Sequence, residues 1–358
     1  MKNLKFDFDD ILISPAKISN ISSRSEVKTT DEYGYLPLFT APMDTVVCDD
    51  NIEIFKQNKI RTIKPRRFIK EIKDEELESY FDMFLSFGID DFYDIFIKNG
   101  KLTYYEKYYI LIDIANGHME RLLNLTIEAK KLYGDSLILM VGNIANPETY
   151  KIFSEAGADI IRLGIGNGIS CLTTQHTGIG YPMGSLIKEC YDISCEINKS
   201  AKIIADGGIK NYADIIKALA LGADYVMIGS VFNKALESAG DTYLANNKKD
   251  GYTEPGDKID QYSIEAKKLF QYGTKMFKKF RGMSTKEAQR SMGKDIIKTS
   301  EGINRMQPVE YTLNGWIENF NSYLSSAMSY TGAIDLDYFS VYSNIIFITN
   351  NALIRYRK

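Results

Sequence analysis

Cys171 carries this chain's clearest potential for covalent chemistry. It lies in Gly164-Ile-Gly-Asn-Gly-Ile-Ser-Cys171-Leu-Thr-Thr-Gln-His-Thr177-Gly-Ile-Gly-Tyr-Pro182, a glycine-rich loop that leaves the apolar run Ile160-Ile-Arg-Leu163 and meets a second glycine turn at once. A strand, then glycines, then a thiol among hydroxyl residues brings backbone amides and a nucleophile to one ligand. Amides around such a loop also favour the thiolate. The competing reading is a buried cysteine acting as a small hydrophobe. Cys48, Cys190 and Cys195 carry no such context and read as structural. There is no C-x-x-C pair, and the histidines are His118 and His176 alone, which argues against a zinc site. Free thiols fit a reducing compartment.

Asp206-Gly207-Gly208 and Gly229-Ser230 are the natural place for a phosphate held on loop amides, with Asp206 better suited to a ribose hydroxyl than to the anion. Ordinary glycine turns are the alternative. Lys64, Arg66 and Arg67 read as a solvated basic face, with contact to a phosphorylated cofactor at the end of the second strand as the alternative, and Glu301 reads as an exposed loop carboxylate.

These residues need elements to position them. Short β-rich runs are Leu36–Thr40, Ile60–Ile63, Met83–Ser86, Tyr109–Asp113, Leu137–Val141, Ile160–Leu163, Lys202–Ala205 and Tyr225–Ile228. Between them, Met119–Tyr133, Asn146–Ala156, Tyr181–Lys199 and Ala213–Leu221 repeat apolar residues three and four apart, as helices do. Eight strands with crossover helices predict an α/β fold, a parallel sheet closed into a (β/α)8 TIM barrel. Glycine, aspartate and hydroxyl residues collect at one polarity of strand end, from Ala41-Pro-Met-Asp-Thr45 to Gly229-Ser230. In a barrel those ends form the active-site mouth. A doubly wound sheet would place G-x-G-x-x-G after an early strand, whereas Gly164–Gly168 is G-x-G-x-G and lies mid-chain.

A single catalytic domain is expected over residues 1–358. Ala245–Lys279 is polar and lysine-rich and reads as a mobile excursion after the eighth strand, within a loop and flap region spanning 245–302. Residues 303–358 form a C-terminal extension, in which Trp316–Ser329 has helical spacing and Ile345-Ile-Phe-Ile348 is apolar. With 44% hydrophobic residues, the chain can bury a large core. A net charge of −3 gives no general pull toward nucleic acid or anionic membrane, so neither is an expected partner. The first ten residues lack the apolar centre of a signal segment, and no run approaches membrane-spanning length, so a cytoplasmic protein is expected.

Taken together, several stretches resemble the IMP dehydrogenase / GMP reductase family over nearly the whole chain. They are Leu4-Lys-Phe-Asp-Phe-Asp-Asp-Ile-Leu12, Ser23-Arg-Ser-Glu26, Met43-Asp-Thr-Val46, Asp113-Ile-Ala-Asn-Gly117, Ala156-Gly-Ala-Asp-Ile160, Ala205-Asp-Gly-Gly208, Ala223-Asp-Tyr-Val-Met-Ile-Gly229 and Arg281-Gly-Met-Ser284. The resemblance implies the same barrel, usually a homotetramer, with a purine nucleotide and a nicotinamide cofactor as ligands. It implies that Cys171 adds to purine C2 to give a thioimidate, and that Thr173 and Glu301 relay protons during amine release. By position it gives Asp206 to the ribose, Gly207, Gly208, Gly229 and Ser230 to the phosphate, and Gly282, Met283 and Ser284 to the base. Asp113, with Met43 and Asp44, falls on the nicotinamide side. The carbonyls of Gly166, Gly168 and Cys171 match a potassium site.

Within the family the chain is most similar to GMP reductases. It has no room for the paired regulatory insert usual in IMP dehydrogenases, and Thr285–Ser300 holds Arg290-Ser291 where those enzymes use an Arg-Tyr pair to activate water. Without that pair, thioimidate hydrolysis is expected to be slow. The implied activity is NADPH-dependent reductive deamination of GMP, or a close guanine nucleotide, to IMP and ammonia. A minimal IMP dehydrogenase using NAD, and a catalytically weak purine-nucleotide-binding protein, are the alternatives. The chain departs from the family pattern at Ile169, with a phosphate-side serine displaced to Ser170, at Leu172, Met183 and Ser230, and at Lys64-Pro-Arg-Arg67.

Overall fold

The computed structural model describes residues 4–66, 83–100, 107–247, 253–291 and 302–356. All eight expected strands are present: β1 Leu38–Thr40, β2 Ile63–Lys64, β3 Phe84–Phe87, β4 Tyr108–Asp113, β5 Leu137–Ile144, β6 Ile160–Leu163, β7 Lys202–Asp206 and β8 Tyr225–Ile228. From β2 each pairs in parallel with the next, and β8 pairs with β1. A single bridge between Phe39 and Arg61 closes the ring, with the Thr40 N–H donating to the Arg61 carbonyl at 3.0 Å and the Arg61 N–H to Leu38 at 3.2 Å. The fold is a TIM barrel.

Alternation sorts each strand into two faces. Phe39, Ile63, Phe84, Leu111, Met140, Ile160, Ile204 and Met227 pack together inside the barrel. Their neighbours, among them Leu38, Leu85, Ile110, Ile112, Leu139, Val141, Ile161, Ile203 and Val226, belong to the larger core beneath the helices. Burial on both faces is why the strands read as near-continuous apolar runs. One step further along the inward face, Asp113, Arg162 and Asp206 follow Leu111, Ile160 and Ile204. The barrel interior therefore changes from apolar to charged at its C-terminal end. Its other end is closed by Arg61, which lies over the rings of Tyr35, Phe39 and Tyr225 and pairs with Asp31.

The crossover helices Glu120–Tyr133, Pro147–Glu155, Met183–Ser194 and Tyr212–Ala220 fall where the apolar spacing puts them. Asn146 and Asn211 cap two of them by accepting the Glu148 and Asp214 N–H groups. The C-terminal helix Leu313–Thr331 seats Trp316 between Tyr212 and Phe320. Ile11–Ser14 pairs antiparallel with Asn344–Phe347. No helix among the described residues is long and apolar enough to cross a membrane.

Ala245–Lys279, expected as a mobile excursion, carries regular structure instead. β9 Thr242–Asn247, β10 Thr253–Ile259, β11 Met276–Arg281 and β12 Asn304–Pro308 form an antiparallel sheet in the order β10-β9-β11-β12, and Ile264–Gln271 is a helix. Leu236, Met276 and Val309, with Leu244, Leu269 and Phe270, give this sheet a small core of its own. Lysine content misleads here because one lysine is inside. Lys278 is fully buried, and its side chain donates to the carbonyls of Leu236 at 2.7 Å and Ser238 at 2.6 Å.

Burial pushes the Lys278 pKa down to about 7, against the opposing influence of Glu237 and Cys48. Above that value and below the ordinary lysine pKa, the unfolded chain binds the extra proton, so folding stability rises with pH. Urea unfolding should therefore show a gain of about 1–2 kcal/mol between roughly pH 7 and 8.5 that Lys278→Met lacks. Equal pH dependence in the two proteins would contradict this assignment.

Candidate active site at the barrel mouth

The cysteine loop is shaped by its contacts with the end of β7. Gly164 has a φ of +125°, and a Cβ there would stand 2.3 Å from the Asp206 carbonyl oxygen and 2.6 Å from Met183 Cε. A Cβ at Gly207, at φ +100°, would stand 3.1 Å from the Gly168 nitrogen. The thiol loop and the Gly207–Gly208 turn thus touch through backbone that only glycine permits. The Cys171 N–H donates to the Gly168 carbonyl at 2.9 Å, and the half-buried thiol donates to Thr173 Oγ1 at 3.3 Å. Thr173 opens the short helix Thr173–Thr177.

The other cysteines differ. Cys190 is buried and its thiol is pushed up by burial. Cys48 shares a hydrogen bond with the Tyr262 hydroxyl at 3.3 Å. Cys195 is exposed at the end of Met183–Ser194, so the expectation that it is structural fails: the helix turns that position outward.

The segment after β11 faces the thiol loop. Cys171 bridges to Gly302, the Ile303 N–H donates to Ser170 at 3.1 Å, and the Gly282 N–H donates to Ile303 at 3.3 Å. A Cβ on Gly302 would lie 2.9 Å from Ser284 Oγ, and one on Gly282 3.2 Å from the Ser170 carbonyl. Gly282 and Ser284 are therefore beside the Cys171 loop, with Met283 between them. Glu301 lies outside the described residues. Ser170 is buried with no partner for its hydroxyl among the described residues, whereas Ile169 is exposed.

The β1 loop completes this side. Met43 Sδ is 3.2 Å from where a Gly229 Cβ would stand, and Ser230 starts the short helix Ser230–Asn233. Asp44 pairs with Arg281, which also reaches Glu287 at 3.2 Å. The loop carrying Met43 and Asp44 is thereby tied to the residue preceding Gly282.

Beneath the mouth lies the charged layer. Arg162 donates through Nη1 to Asp113 Oδ1 at 2.7 Å and through Nη2 to Asp206 Oδ2 at 2.8 Å. Asn143 donates to the same Asp206 oxygen at 2.7 Å, and Arg66 Nε lies 2.9 Å from Asp113 Oδ2. Burial pushes the Asp113 pKa up, but Arg66 and Arg162 outweigh it and hold the carboxyl below its usual range. Arg162 and Asn143 were not picked out from the sequence as site residues. The available signal was an arginine within the apolar run Ile160-Ile-Arg-Leu163, because a buried guanidinium must be paired. Nor are Lys64 and Arg66 a solvated face: Lys64 is buried against Asp49 at 2.9 Å, and Arg66 serves Asp113. The strand end turns these cations toward acidic partners. Arg67 lies outside the described residues.

The donor set fits a nucleotide and a second planar ligand. Glycines 207 and 208 have left-handed backbone and carry no side chain of their own beside their amides, which suits an anion. Met43 beside Gly229 gives the mouth a polarisable apolar edge of the kind an aromatic ring packs against. Gly166, Gly168 and Cys171 contribute hard, neutral carbonyl oxygens, of which the Gly168 oxygen already accepts the Cys171 N–H.

A family model described as "IMP dehydrogenase / GMP reductase domain" matches residues 5–253. The chain belongs to this family. A GMP reductase of Caenorhabditis elegans is 30% identical over 346 residues, covering 92% of this chain and 88% of its own length. One from Bacillus licheniformis is 34% identical over 292 residues, covering 79% and 86%. One from Vibrio vulnificus strain YJ016 is 29% identical over 351 residues, covering 94% and 92%. As a member of the IMP dehydrogenase / GMP reductase family, the protein is an oxidoreductase of purine metabolism, and its thiol, glycine turns and 282–284 loop converge on one mouth.

Proposed function

We propose that this enzyme reduces GMP to IMP and ammonia with NADPH, through a thioimidate on Cys171. The observation that carries this reading is the Cys171 thiol, hydrogen-bonded to Thr173 on a loop that touches both the Gly207–Gly208 turn and the Gly282–Ser284 segment. The thiolate adds to purine C2. The amino group leaves as ammonia, its protons supplied through the Thr173 hydroxyl and Glu301. Bound nicotinamide supplies the hydride that C2 receives, and the carbon–sulfur bond then breaks to return the thiolate.

In this reading, amides at Gly207, Gly208, Gly229 and Ser230 hold the phosphate. Asp206 offers Oδ1 to the ribose, because Arg162 and Asn143 both bind Oδ2. Gly282, Met283 and Ser284 line the base, while Met43, Asp44 and Asp113 define the nicotinamide side. Carbonyls of Gly166, Gly168 and Cys171 are the proposed potassium ligands, and no step above needs the ion. A cytoplasmic homotetramer is part of the proposal. Purified enzyme supplied with GMP and NADPH should form IMP as NADPH is consumed. Formation of NADH from IMP and NAD, with no reaction on GMP, would reassign it as a dehydrogenase.

A further inference from the structure

Arg162 stands where β4 to β7 reach the mouth. Gly142 on β5 is in register with Asp113 of β4 on one side and with Arg162 of β6 on the other. A Cβ at Gly142 would lie 2.7 Å from Arg162 Cβ. The missing side chain is what lets the guanidinium cross β5 to Asp113, while its second terminal nitrogen reaches Asp206 on β7. The Arg162 side chain is only 6% exposed. One planar cation thus joins a carboxylate on the cofactor side to one on the nucleotide side.

We propose that Arg162 is a positioning residue that holds Asp206 and Asp113 as one rigid unit, so that a single side chain sets nucleotide and cofactor relative to each other. The inference rests on the reading above that both ligands share this mouth. Arginine suits the task because its fork addresses two acceptors at once, whereas lysine is a point charge. Among the described residues, Arg66 and Arg162 face Asp113, Arg162 and Asn143 face Asp206, and Asp91 lies near Arg66 on the far side. Removing the Arg162 charge leaves Asp113 facing Arg66 and Asp206 facing the neutral Asn143 amide. Ionisation of Asp113 must then become harder.

The test compares wild type, Arg162→Gln and Arg162→Lys. In ligand-free protein, the carboxyl carbon resonance of Asp113 should titrate about one pH unit or more higher in Arg162→Gln than in wild type. The acid limb of kcat/KM should move the same way, and KM for both ligands should rise about tenfold or more. Arg162→Lys should restore the acid limb but not the KM values. Folded Arg162→Gln with an unchanged Asp113 titration and unchanged KM values would overturn the proposal. So would full rescue by lysine, since a point charge would then suffice. Wild-type turnover of GMP is the separate check on the proposed function, and the ligand-free titration does not depend on it.

Discussion

Cys171→Ala is expected to lose turnover by on the order of 10⁴- to 10⁶-fold in kcat, the scale seen when a covalent nucleophile is removed. Nucleotide affinity should stay within about threefold, because the contacts proposed for phosphate, ribose and base lie elsewhere. The thiol is half-buried and its hydrogen bond to Thr173 is long, at 3.3 Å, so thermal stability should change little. Wild-type enzyme incubated with GMP should carry a covalent nucleotide on Cys171 in intact-mass analysis, and the variant should carry none. Appreciable turnover by the alanine variant would mean that the reaction does not pass through sulfur.

Gly164→Ala should produce the largest loss of stability. A side chain at φ +125° is strained in itself, at a cost of about 1–3 kcal/mol. Its Cβ would also stand 2.3 Å from the Asp206 carbonyl oxygen, a backbone atom with no rotamer to escape into. Relieving that contact pushes β6 from β7 and adds a similar cost, about 3–5 kcal/mol in all. Gly34→Ala is the control: its φ is +82° with nothing within 4 Å of the new Cβ, and a loss near 1 kcal/mol is expected. Folded Gly164→Ala should also turn over about a hundredfold more slowly, since separating Cys171 from Asp206 by an ångström misplaces the reacting carbon. Equal losses for the two alanine variants in urea unfolding would show that backbone conformation alone, not the β6–β7 contact, makes glycine necessary at 164.

The barrel was legible because its strands are buried on both faces, which writes them as apolar runs such as Leu137–Val141 and Ile160–Leu163. The exception is instructive. The run Ile60–Ile63 contributes only Ile63 to the two-residue strand Ile63–Lys64, with Arg61 making a lone bridge that no alternation announces. The β9–β12 sheet was not legible, since Leu236, Met276 and Val309 assemble its core from three separate segments. Cys171 stood out because its neighbours are glycines, a local property. The charged layer did not, because Arg162 finds its partners 49 and 44 residues away and only barrel closure brings them together. Continuing the inward positions two residues beyond Leu111, Ile160 and Ile204 would have found all three members.

The ladder between Ile11–Ser14 and Asn344–Phe347 bears on the order in which the molecule assembles. Chain-closure entropy grows only logarithmically, so joining such distant segments adds little to the final free-energy balance. In time the cost is larger, because contacts of such long sequence separation form late. The neighbouring residue Phe6 exchanges hydrogen bonds with Ser185 at the start of Met183–Ser194, the helix that follows the thiol loop. During synthesis, then, the eight-stranded ring can be complete while this early segment still waits for its partner strand.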